Sequence, residues 1–215
     1  MKEIAISELK PMFEAVSENM TAHADELCEM DAKMGDGDLG LTMKKGFAAL
    51  PGLLEEIPEE NFGKRLAKAG MKMSSVVPST MGTLMSSGIM NGGKALSDAE
   101  AIDAGGLLRY FEAFADGLIK RGKCTRGDRT VLDAILGAVD KLRAGLNDNP
   151  DLEIEDAAAL AFQGAEEGTE ATRLMEPKFG KAAVHRAVAA GQRDQGACAG
   201  LYMIEGMYKY ISGRE

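Results

Sequence analysis

The chain has 215 residues, and its 34 acidic side chains outnumber its 25 basic ones, so its net charge is −9. This balance disfavours nucleic acid as a partner, because phosphate backbones are bound by clustered lysine and arginine. No run of about eighteen apolar residues predicts a membrane span, and residues 1–20 lack the basic-then-apolar order of a signal peptide. Three separated cysteines without metal-ligand spacing, Cys28, Cys124 and Cys198, favour a reduced, cytoplasmic setting.

Helical periodicity dominates the chain from its start to its end. Apolar residues recur at three- and four-residue steps, and this spacing predicts helices over residues 6–30, 41–50, 62–74, 80–90, 98–121, 129–146, 154–173, 181–190 and 196–211. No segment alternates convincingly as a strand, no repeat is present, and no linker is long enough to divide the chain. The sequence therefore predicts an all-α protein whose residues 1–215 form a single domain.

Local signals predict where several of these helices begin or end. The Asn-Gly-Gly triplet at 91–93 is typical of a helix terminator. Ser97 and Glu100 have the spacing of a capping box for the helix over 98–121, and Asp128 is a good N-cap for the helix that follows it. Each of these signals would satisfy backbone groups that a helix end leaves without partners.

Two glycine-rich stretches resemble nucleotide-binding loops in their letters only. Residues 35–40 read GDGDLG, which satisfies G-x-G-x-x-G, and residues 88–94 read GIMNGGK, which is close to a P-loop. Both kinds of loop need a buried strand before them, and neither stretch has one. Among the histidines, His23 has acidic neighbours that favour a surface role, whereas His185 lies near a glycine-rich segment and keeps a functional role open.

The chemistry-bearing side chains concentrate in the stretch DAKMGDGDLG at residues 31–40. Asp36 and Asp38 flank Gly37, which lets the backbone bend so that both carboxylates face one point, and Asp31 lies at the end of the preceding helix. Carboxylate oxygens suit Mg²⁺ or Ca²⁺ rather than zinc, and the lack of EF-hand spacing favours Mg²⁺ completed by phosphate oxygens. Aspartates are also common in turns and caps, so the residues alone leave a metal site and a structural turn open.

Four blocks in order along the chain resemble those of a known family. They read DAKMGDGDLGLTMKKGF at 31–47, GMKMSSVVPSTMG at 70–82, RGKCTRGDRTVLDA at 121–134 and FGKAAVHRAVAAGQRDQGACAG at 179–200. The first is similar to the family's G-D-x-D-H-G segment with an upstream Asp, the second to its second glycine- and serine-rich phosphate loop. The third is close to R-G-K-x-x-x-G-D-K-T-x-x-D, and the fourth to G-R-A-S-Y…G-x-x-D-P-G-A. The chain thus resembles the nucleotide-binding (L-type, DhaL) domain of dihydroxyacetone kinases.

That resemblance implies an antiparallel eight-helix barrel with the nucleotide site at one end. It implies a kinase in which two Mg²⁺ ions lie between the carboxylates of Asp31, Asp36 and Asp38 and the phosphates of ADP or ATP. Phosphoryl transfer needs positioning and charge neutralisation more than a covalent catalyst, and no residue is assigned as catalytic. The residues expected to contact the nucleotide are Leu39, Gly40, Leu41, Thr42, Ser79, Thr80, Met81, Gly82, Gly122, Val131, Lys181, Asp194, Gln195 and Gly196.

The chain departs from the family's pattern at several of these positions. Leu39 stands where the family has His, which removes a polar group on the phosphate side, and Pro78-Ser79 replaces a pair of glycines. Lys181 replaces Arg, which keeps the charge but loses the bidentate fork, and Gln195 replaces Pro. We expect the metal site to survive these changes, whereas the identity of the phosphoryl acceptor stays open.

The resemblance also implies partners for the reaction. The acceptor is a short-chain ketose bound on a separate K-type subunit, while the donor is either ATP or an M-type phosphotransfer protein that recharges bound ADP. Two other functions stay open: a kinase domain for another carrier-presented acceptor, such as a fatty acid, and a non-catalytic nucleotide sensor that binds a regulator protein. Neither nucleic acid nor a membrane is an expected partner.

Overall fold

A computed structural model describes residues 3–213, most of which lie in helices joined by short loops. The helices are α1 (Leu9–Ala22), α2 (Ala24–Ala32), α3 (Leu39–Glu56), α4 (Phe62–Val76), α5 (Thr80–Ala95), α6 (Ala104–Gly122), α7 (Val131–Asp148), α8 (Ile154–Ala171), α9 (Arg186–Ala189) and α10 (Gln195–Ser212). Two short strands that the sequence does not predict, β1 (Ile4–Ala5) and β2 (Ala101–Ile102), pair antiparallel. Short 3-10 turns occupy Ile6–Glu8, Thr172–Leu174 and Lys181–Ala183.

Helices pack side by side until they close into a ring. The order around the ring is α1, α3, α4, α5, α6, α7, α8 and α10, and α10 returns to pack on α1. The starts of α3, α5 and α7 meet the end of α6 around shared cavities at one end of the ring, so neighbouring helices run antiparallel. The predicted all-α, antiparallel eight-helix barrel is therefore confirmed, and α2 packs outside it against α3 and α10.

The inner faces of the ring meet in one hydrophobic core. Phe13, Phe47, Phe62, Phe111 and Phe114 are each no more than 1% exposed within it. Burying one large apolar side chain contributes roughly 1.5–3 kcal/mol, so the apolar stripe of each helix is held inward while its charged face stays in water. None of the helices between residues 3 and 213 combines the length and the apolarity that a membrane span requires.

The helix predicted over residues 6–30 is in fact two helices. The break lies at His23, whose backbone leaves the helical region (φ −102°, ψ 6°) between α1 and α2. Its ring stacks on Tyr202 of α10 with the centroids 3.8 Å apart, and its Nδ1 lies 3.1 Å from Glu26 Oε2. His23 is thus half-buried and packed rather than a surface residue, because contacts with a distant helix override the local pattern.

Helix α6 begins later than the sequence predicts. Asp103 caps it by accepting a hydrogen bond from Gly106 N at 2.7 Å, and the helix starts at Ala104. The capping box predicted at Ser97 does not start a helix. The residues between it and Ala104 include Ala101–Ile102, which pair with β1 as a strand. A tertiary pairing with the start of the chain therefore replaces a helical turn.

Helices α5 and α7 also differ from prediction at one end. Helix α5 continues past the triplet at 91–93, because the glycines there allow close packing: a Cβ on Gly92 would lie 2.5 Å from the Tyr110 ring. Helix α7 takes Thr130 rather than Asp128 as its N-cap. Asp128 instead lies in the preceding turn, where its carboxylate accepts a hydrogen bond from Thr125 N at 2.7 Å.

Candidate functional site

Asp31, Asp36 and Asp38 lie together at one end of the barrel. One carboxylate oxygen of each lies within 4.8 Å of the other two. Asp31 is half-buried near the end of α2, whereas Asp36 and Asp38 are exposed in the loop before α3. Asp38 occupies the N-cap position of α3 without making a side-chain capping hydrogen bond. Three hard oxygen donors facing one point form a set that suits Mg²⁺.

Two glycines shape the loop that carries these carboxylates. Gly37 has a φ of 75°, a left-handed conformation that favours glycine, and its N–H donates to Asp31 Oδ2 at 2.9 Å. A Cβ at Gly35 would lie 2.4 Å from Asp31 Oδ1, so a larger residue there would displace this carboxylate. The backbone of the loop therefore orients Asp31, and part of the role of Asp31 is to hold the turn.

The three carboxylates open onto a cavity of about 240 Å³. The remaining wall of this cavity comes from the first turn of α3 and from the start of α5, and consists of Leu39, Thr42, Ser79, Thr80 and Met81. These five residues belong to the set that the resemblance predicts as nucleotide contacts. The structure therefore places two separate predicted blocks, about forty residues apart in the sequence, on facing sides of one small, charged cavity.

A second cavity of about 510 Å³ adjoins the first and shares Ser79 and Thr80 with it. Two more of the residues predicted to contact the nucleotide, Gly122 and Val131, lie in its wall together with Leu84, Cys124 and Phe179. A volume of this size is typical of a small-molecule site. The two cavities thus form one cleft that is charged at one end and mainly apolar at the other.

Several helices direct their N-termini towards this cleft. The first residues of α3, α5 and α7, which are Leu39, Thr80 and Val131, line its walls, and Gln195 at the start of α10 lies 3.5 Å from Asp31 Oδ1 through its Nε2. A helix N-terminus has free N–H donors and a partial positive charge, which together favour bound anions. The cleft can therefore attract an anionic ligand although the protein as a whole is acidic.

Lys181 brings a positive charge to the edge of the aspartate cluster. Its Nζ lies 2.8 Å from Asp36 Oδ2, and this hydrogen bond and ion pair hold the pKa of Asp36 below its usual value. Both side chains are more than half exposed, so solvent screens the pair and it stabilises the fold very little. Its consequence is positional, because it places an ammonium group beside the charged cavity.

Asp194 lies beneath the cleft rather than in its wall. It is 5% exposed and caps α10 by accepting a hydrogen bond from Ala197 N at 2.8 Å. Burial raises the pKa of its carboxyl to about 6, although the Ala197 N–H and the nearby Arg129 guanidinium oppose this shift. Asp194 lines neither of the two cavities, so its predicted contact with a nucleotide stays a prediction.

The buried carboxyl of Asp194 is expected to make stability depend on pH. Its folded-state pKa of about 6 exceeds the ordinary value of 3.8, so its favourable contribution is complete below about pH 4 and is lost as pH rises through about 6. The difference of about two units corresponds to about 3 kcal/mol. Asp194→Asn keeps a capping oxygen without the charge, and should therefore gain stability relative to wild type between about pH 4.5 and about pH 7.5.

Urea unfolding of wild type and Asp194→Asn, at about pH 4.5 and at about pH 7.5, measures this gain in stability. Asp103→Asn, at the exposed N-cap of α6, is the matched control, because it makes the same change at a helix cap without removing a buried charge. If the stability difference between Asp194→Asn and wild type were the same at both pH values, the buried charge would have no such effect.

The other predicted residues lie at the borders of the cleft. Leu41 is 63% exposed on α3, and it lines neither cavity. Gly40 and Gly82 are buried at the starts of α3 and α5, where each is in tight contact with a neighbouring segment. Gly196 starts α10 close to the N–H of Val131. The structure thus gives Gly40 and Gly82 a packing role, and the contact of all four with a nucleotide stays a prediction.

Sequence reasoning did not predict as nucleotide contacts several residues that line the larger cavity. These are Pro78, Thr83, Leu84, Arg121, Cys124, Thr130, Phe179 and Gly180. Most of them lie within the blocks that carry the family resemblance, so the blocks could have been used to predict them as site residues. Thr83 and Leu84 lie outside those blocks, but they follow Thr80 by three and four residues on α5, a spacing that places side chains on one helix face.

Comparison with known proteins places this geometry in a family. The pattern of the DAK2 domain matches residues 33–209. The chain is 28% identical over 185 residues to the ADP-binding subunit DhaL of the PEP-dependent dihydroxyacetone kinase of Escherichia coli K12, which covers 86% of this chain and 87% of that subunit. It is 35% identical over 132 residues to the DhaL subunit of PEP-dependent dihydroxyacetone kinase 1 of Listeria innocua, covering 61% and 64% of the two chains.

A solved structure shares the fold as well. The dihydroxyacetone kinase of C. freundii, in complex with AMP-PNP and Mg²⁺, matches with a TM-score of 0.69 at 25% sequence identity. The match covers 100% of this chain and 35% of that one, so the chain corresponds to about a third of the C. freundii protein. With the family pattern extending over most of its length, this chain belongs to the DAK2 domain family.

Proposed function

We propose that this chain is the nucleotide-binding phosphotransferase subunit of a dihydroxyacetone-type kinase, which passes a phosphoryl group to a short-chain ketose held on a separate K-type subunit. The observation that carries the proposal is the cleft, in which three clustered carboxylates connect through Ser79 and Thr80 to an apolar cavity. A nucleoside polyphosphate has matching parts, namely an anionic tail and a flat base. The names of two relatives support this, since both are ADP-binding subunits of dihydroxyacetone kinases.

Asp31, Asp36 and Asp38 are the residues that would hold Mg²⁺ in this function. Their clustered carboxylates and the phosphate oxygens together offer more ligands than the roughly six that one octahedral Mg²⁺ accepts, so we propose two ions. When bound, Mg²⁺ neutralises phosphate charge and orients the group that is transferred. The carboxylates alone would repel a phosphate, so nucleotide binding should require the metal.

The groups of the chain itself position the phosphates and keep water away from them. Backbone N–H groups at the starts of α3 and α5 can donate to phosphate oxygens, and Lys181 provides a cation at the same end of the cleft. A loose phosphoryl-transfer transition state needs this positioning and charge balance more than a covalent catalyst. We therefore assign binding and orientation to these residues and no catalytic role to a single side chain.

The names of the relatives and the state of the cysteines support proposals for the donor and the setting. Both DhaL relatives are named as PEP-dependent, so we propose that an M-type phosphotransfer protein recharges ADP that stays bound to this chain. The cysteines at 28, 124 and 198 are free thiols, which agrees with a reduced cytoplasmic setting. We propose that residues 1–215 act there as a single nucleotide-binding domain.

Thr80→Val is expected to weaken binding of MgADP by about tenfold, because a hydrogen bond from a hydroxyl to a charged phosphate contributes roughly 1.5–3 kcal/mol. Thr80 is exposed as the first residue of α5 and borders both cavities. Calorimetric titration measures the change, with Thr21→Val as the matched control on the exposed surface of α1. Ser79 is a less suitable target, because its Oγ also caps α5 by accepting from Gly82 N. Unchanged affinity in Thr80→Val would place the phosphates elsewhere.

Native mass spectrometry of the purified chain tests the proposed function directly. We expect a species heavier than the polypeptide by the mass of ADP or ATP with magnesium, and we expect EDTA to remove it. An acceptor screen in the presence of the K-type subunit should then yield a phosphorylated short-chain ketose. A chain that carries no nucleotide and binds none when MgADP is added would contradict the proposal.

A further inference from the structure

A strap crosses the end of the barrel at which the cleft opens. We use this name for residues 173–193, which connect α8 to α10. The sequence predicts one helix over 181–190 within it, but the structure has a 3-10 turn at Lys181–Ala183 and then the short α9. The prediction was wrong because the backbone of His185, with φ −106° and ψ 40°, leaves the helical region and separates the 3-10 turn from α9.

The strap contacts both ends of the cleft. Phe179 and Gly180 line the larger, mainly apolar cavity. The next residue, Lys181, pairs with Asp36 at the charged end. The position of three consecutive residues therefore sets the shape of the whole cleft on this side.

Apolar packing holds the strap only weakly. Leu174 is 94% exposed and Val184 is 80% exposed. Pro177, Ala182 and Ala189 are its buried members. The two alanines form a small cluster with Met34, and alanine side chains remove little apolar area from water. Since hydrophobic stabilisation scales with that area, polar contacts must supply most of what positions the strap.

Arg129 makes hydrogen bonds to both ends of the strap. Its side chain extends from the turn before α7 and is 3% exposed. Its Nε donates to Thr172 O at 3.2 Å, just before the strap begins. One Nη nitrogen donates to Ala189 O at 2.9 Å and to Gln192 O at 3.0 Å, where the strap ends. A single guanidinium thus ties together two points of the chain that are about twenty residues apart.

The chemistry of Arg129 explains why this contact is strong. Hydrogen bonds from a charged donor are roughly twice as strong as neutral ones, and a planar guanidinium can serve three carbonyls where an ammonium on a flexible stem cannot. The backbone of Arg129 is left-handed, with a φ of 62°, a conformation that costs energy outside glycine and persists only where surrounding contacts impose it. Asp194 balances its buried charge by an electrostatic interaction.

We propose that Arg129 is a positioning residue for the nucleotide, which fixes both ends of the strap and so holds Phe179 and Lys181 at the two ends of the cleft. The inference rests on the proposed function. Arg129 lines neither cavity itself, so it acts through the strap. Releasing the strap should lower the affinity for the nucleotide while the aspartate cluster and the barrel stay intact.

The test compares native wild type with Arg129→Lys, which keeps the charge but cannot make the three hydrogen bonds. We expect trypsin to cut the variant within the strap, after Lys178, Lys181 or Arg186, roughly tenfold faster, with the sites mapped by mass spectrometry. We expect its affinity for MgADP, measured by calorimetry, to fall roughly tenfold. Saturating MgADP should slow the cleavage again, because a ligand that contacts the closed strap favours that state.

The matched control is Arg65→Lys. Arg65 also donates from Nε to a backbone carbonyl, that of Glu59, at 2.6 Å, but it lies near the start of α4, away from the cleft. This variant should keep wild-type cleavage of the strap and wild-type affinity. Thermal unfolding followed by circular dichroism should show an intact barrel in both variants.

The outcomes separate the inference from the proposed function. If wild type binds no MgADP, the proposed function fails, and selective cleavage of the strap in Arg129→Lys would still show that Arg129 holds it. Unchanged cleavage and affinity in Arg129→Lys would overturn the inference. Global unfolding of both Arg129→Lys and Arg129→Gln would overturn it too, because Arg129 would then support the barrel rather than position the strap.

Discussion

Asp38→Asn is expected to weaken binding of MgADP by at least about a hundredfold, since even supporting groups around a metal cost about ten- to a hundredfold when they are lost. The substitution removes a carboxylate charge from the cluster of three. Asp38 makes no side-chain capping hydrogen bond, so its loss should leave α3 intact. Asp36→Asn should have a similar effect on binding, but it also removes the ion pair with Lys181, which makes Asp38 the cleaner test.

Calorimetric titration of MgADP, repeated in EDTA, measures this loss. Asp25→Asn is the matched control, because Asp25 is an exposed carboxylate on α2 outside the cluster, and it should bind as wild type does. Thermal unfolding should be nearly unchanged in all variants. Equal affinity in wild type, Asp38→Asn and Asp25→Asn, with and without EDTA, would show that the carboxylates do not hold the metal.

With MgATP alone, the chain is expected to hydrolyse little ATP and to transfer nothing to free dihydroxyacetone. Adding the K-type subunit together with the M-type protein that recharges bound ADP should raise product formation by at least about a thousandfold, because holding the acceptor in line with the phosphate supplies much of the rate. The cleft has a charged end and a mainly apolar end, whereas neither histidine lines the two cavities. His23 packs between α1 and α2, and His185 is exposed on the strap.

A coupled assay of phosphorylated ketose, with and without the K-type subunit, checks this expectation. A subunit that closes over the cleft also excludes water, which limits wasteful hydrolysis. Asp38→Asn mixed with the K-type subunit should stay inactive, and this control links the activity to the aspartate cluster. Efficient phosphorylation of free dihydroxyacetone by this chain alone would contradict the two-component mechanism.

The aspartate cluster could be predicted because its parts are close in the sequence. Asp31 lies near the end of α2, Asp36 and Asp38 lie in the loop that follows, and Gly37 between the last two allows the turn that brings the three together. Likewise, helices could be predicted for most of the chain, because the three- and four-residue spacing of apolar residues reflects the local geometry of a helix. The closed ring and the place of the nucleotide end came from resemblance, because periodicity does not say which helix packs on which.

Only the tertiary structure decided the features that depend on distant contacts. Helix α6 starts at Ala104 because β2 pairs with β1 nearly a hundred residues away, and the helix over 6–30 breaks where His23 meets Tyr202. Arg129 stands in a block that the sequence does mark, yet nothing local shows that it is buried beneath the strap.

The sequence by itself thus determined the helical class, the clustering of Asp31, Asp36 and Asp38, and the family to which this protein is related. Folding decided that Phe179, Lys181 and the turn at 127–130 meet around one cleft, and that Asp194 is buried below it. The physical reason is that a turn or a helical stripe is set by neighbouring residues. Burial and hydrogen bonds across the barrel instead depend on how all the helices pack.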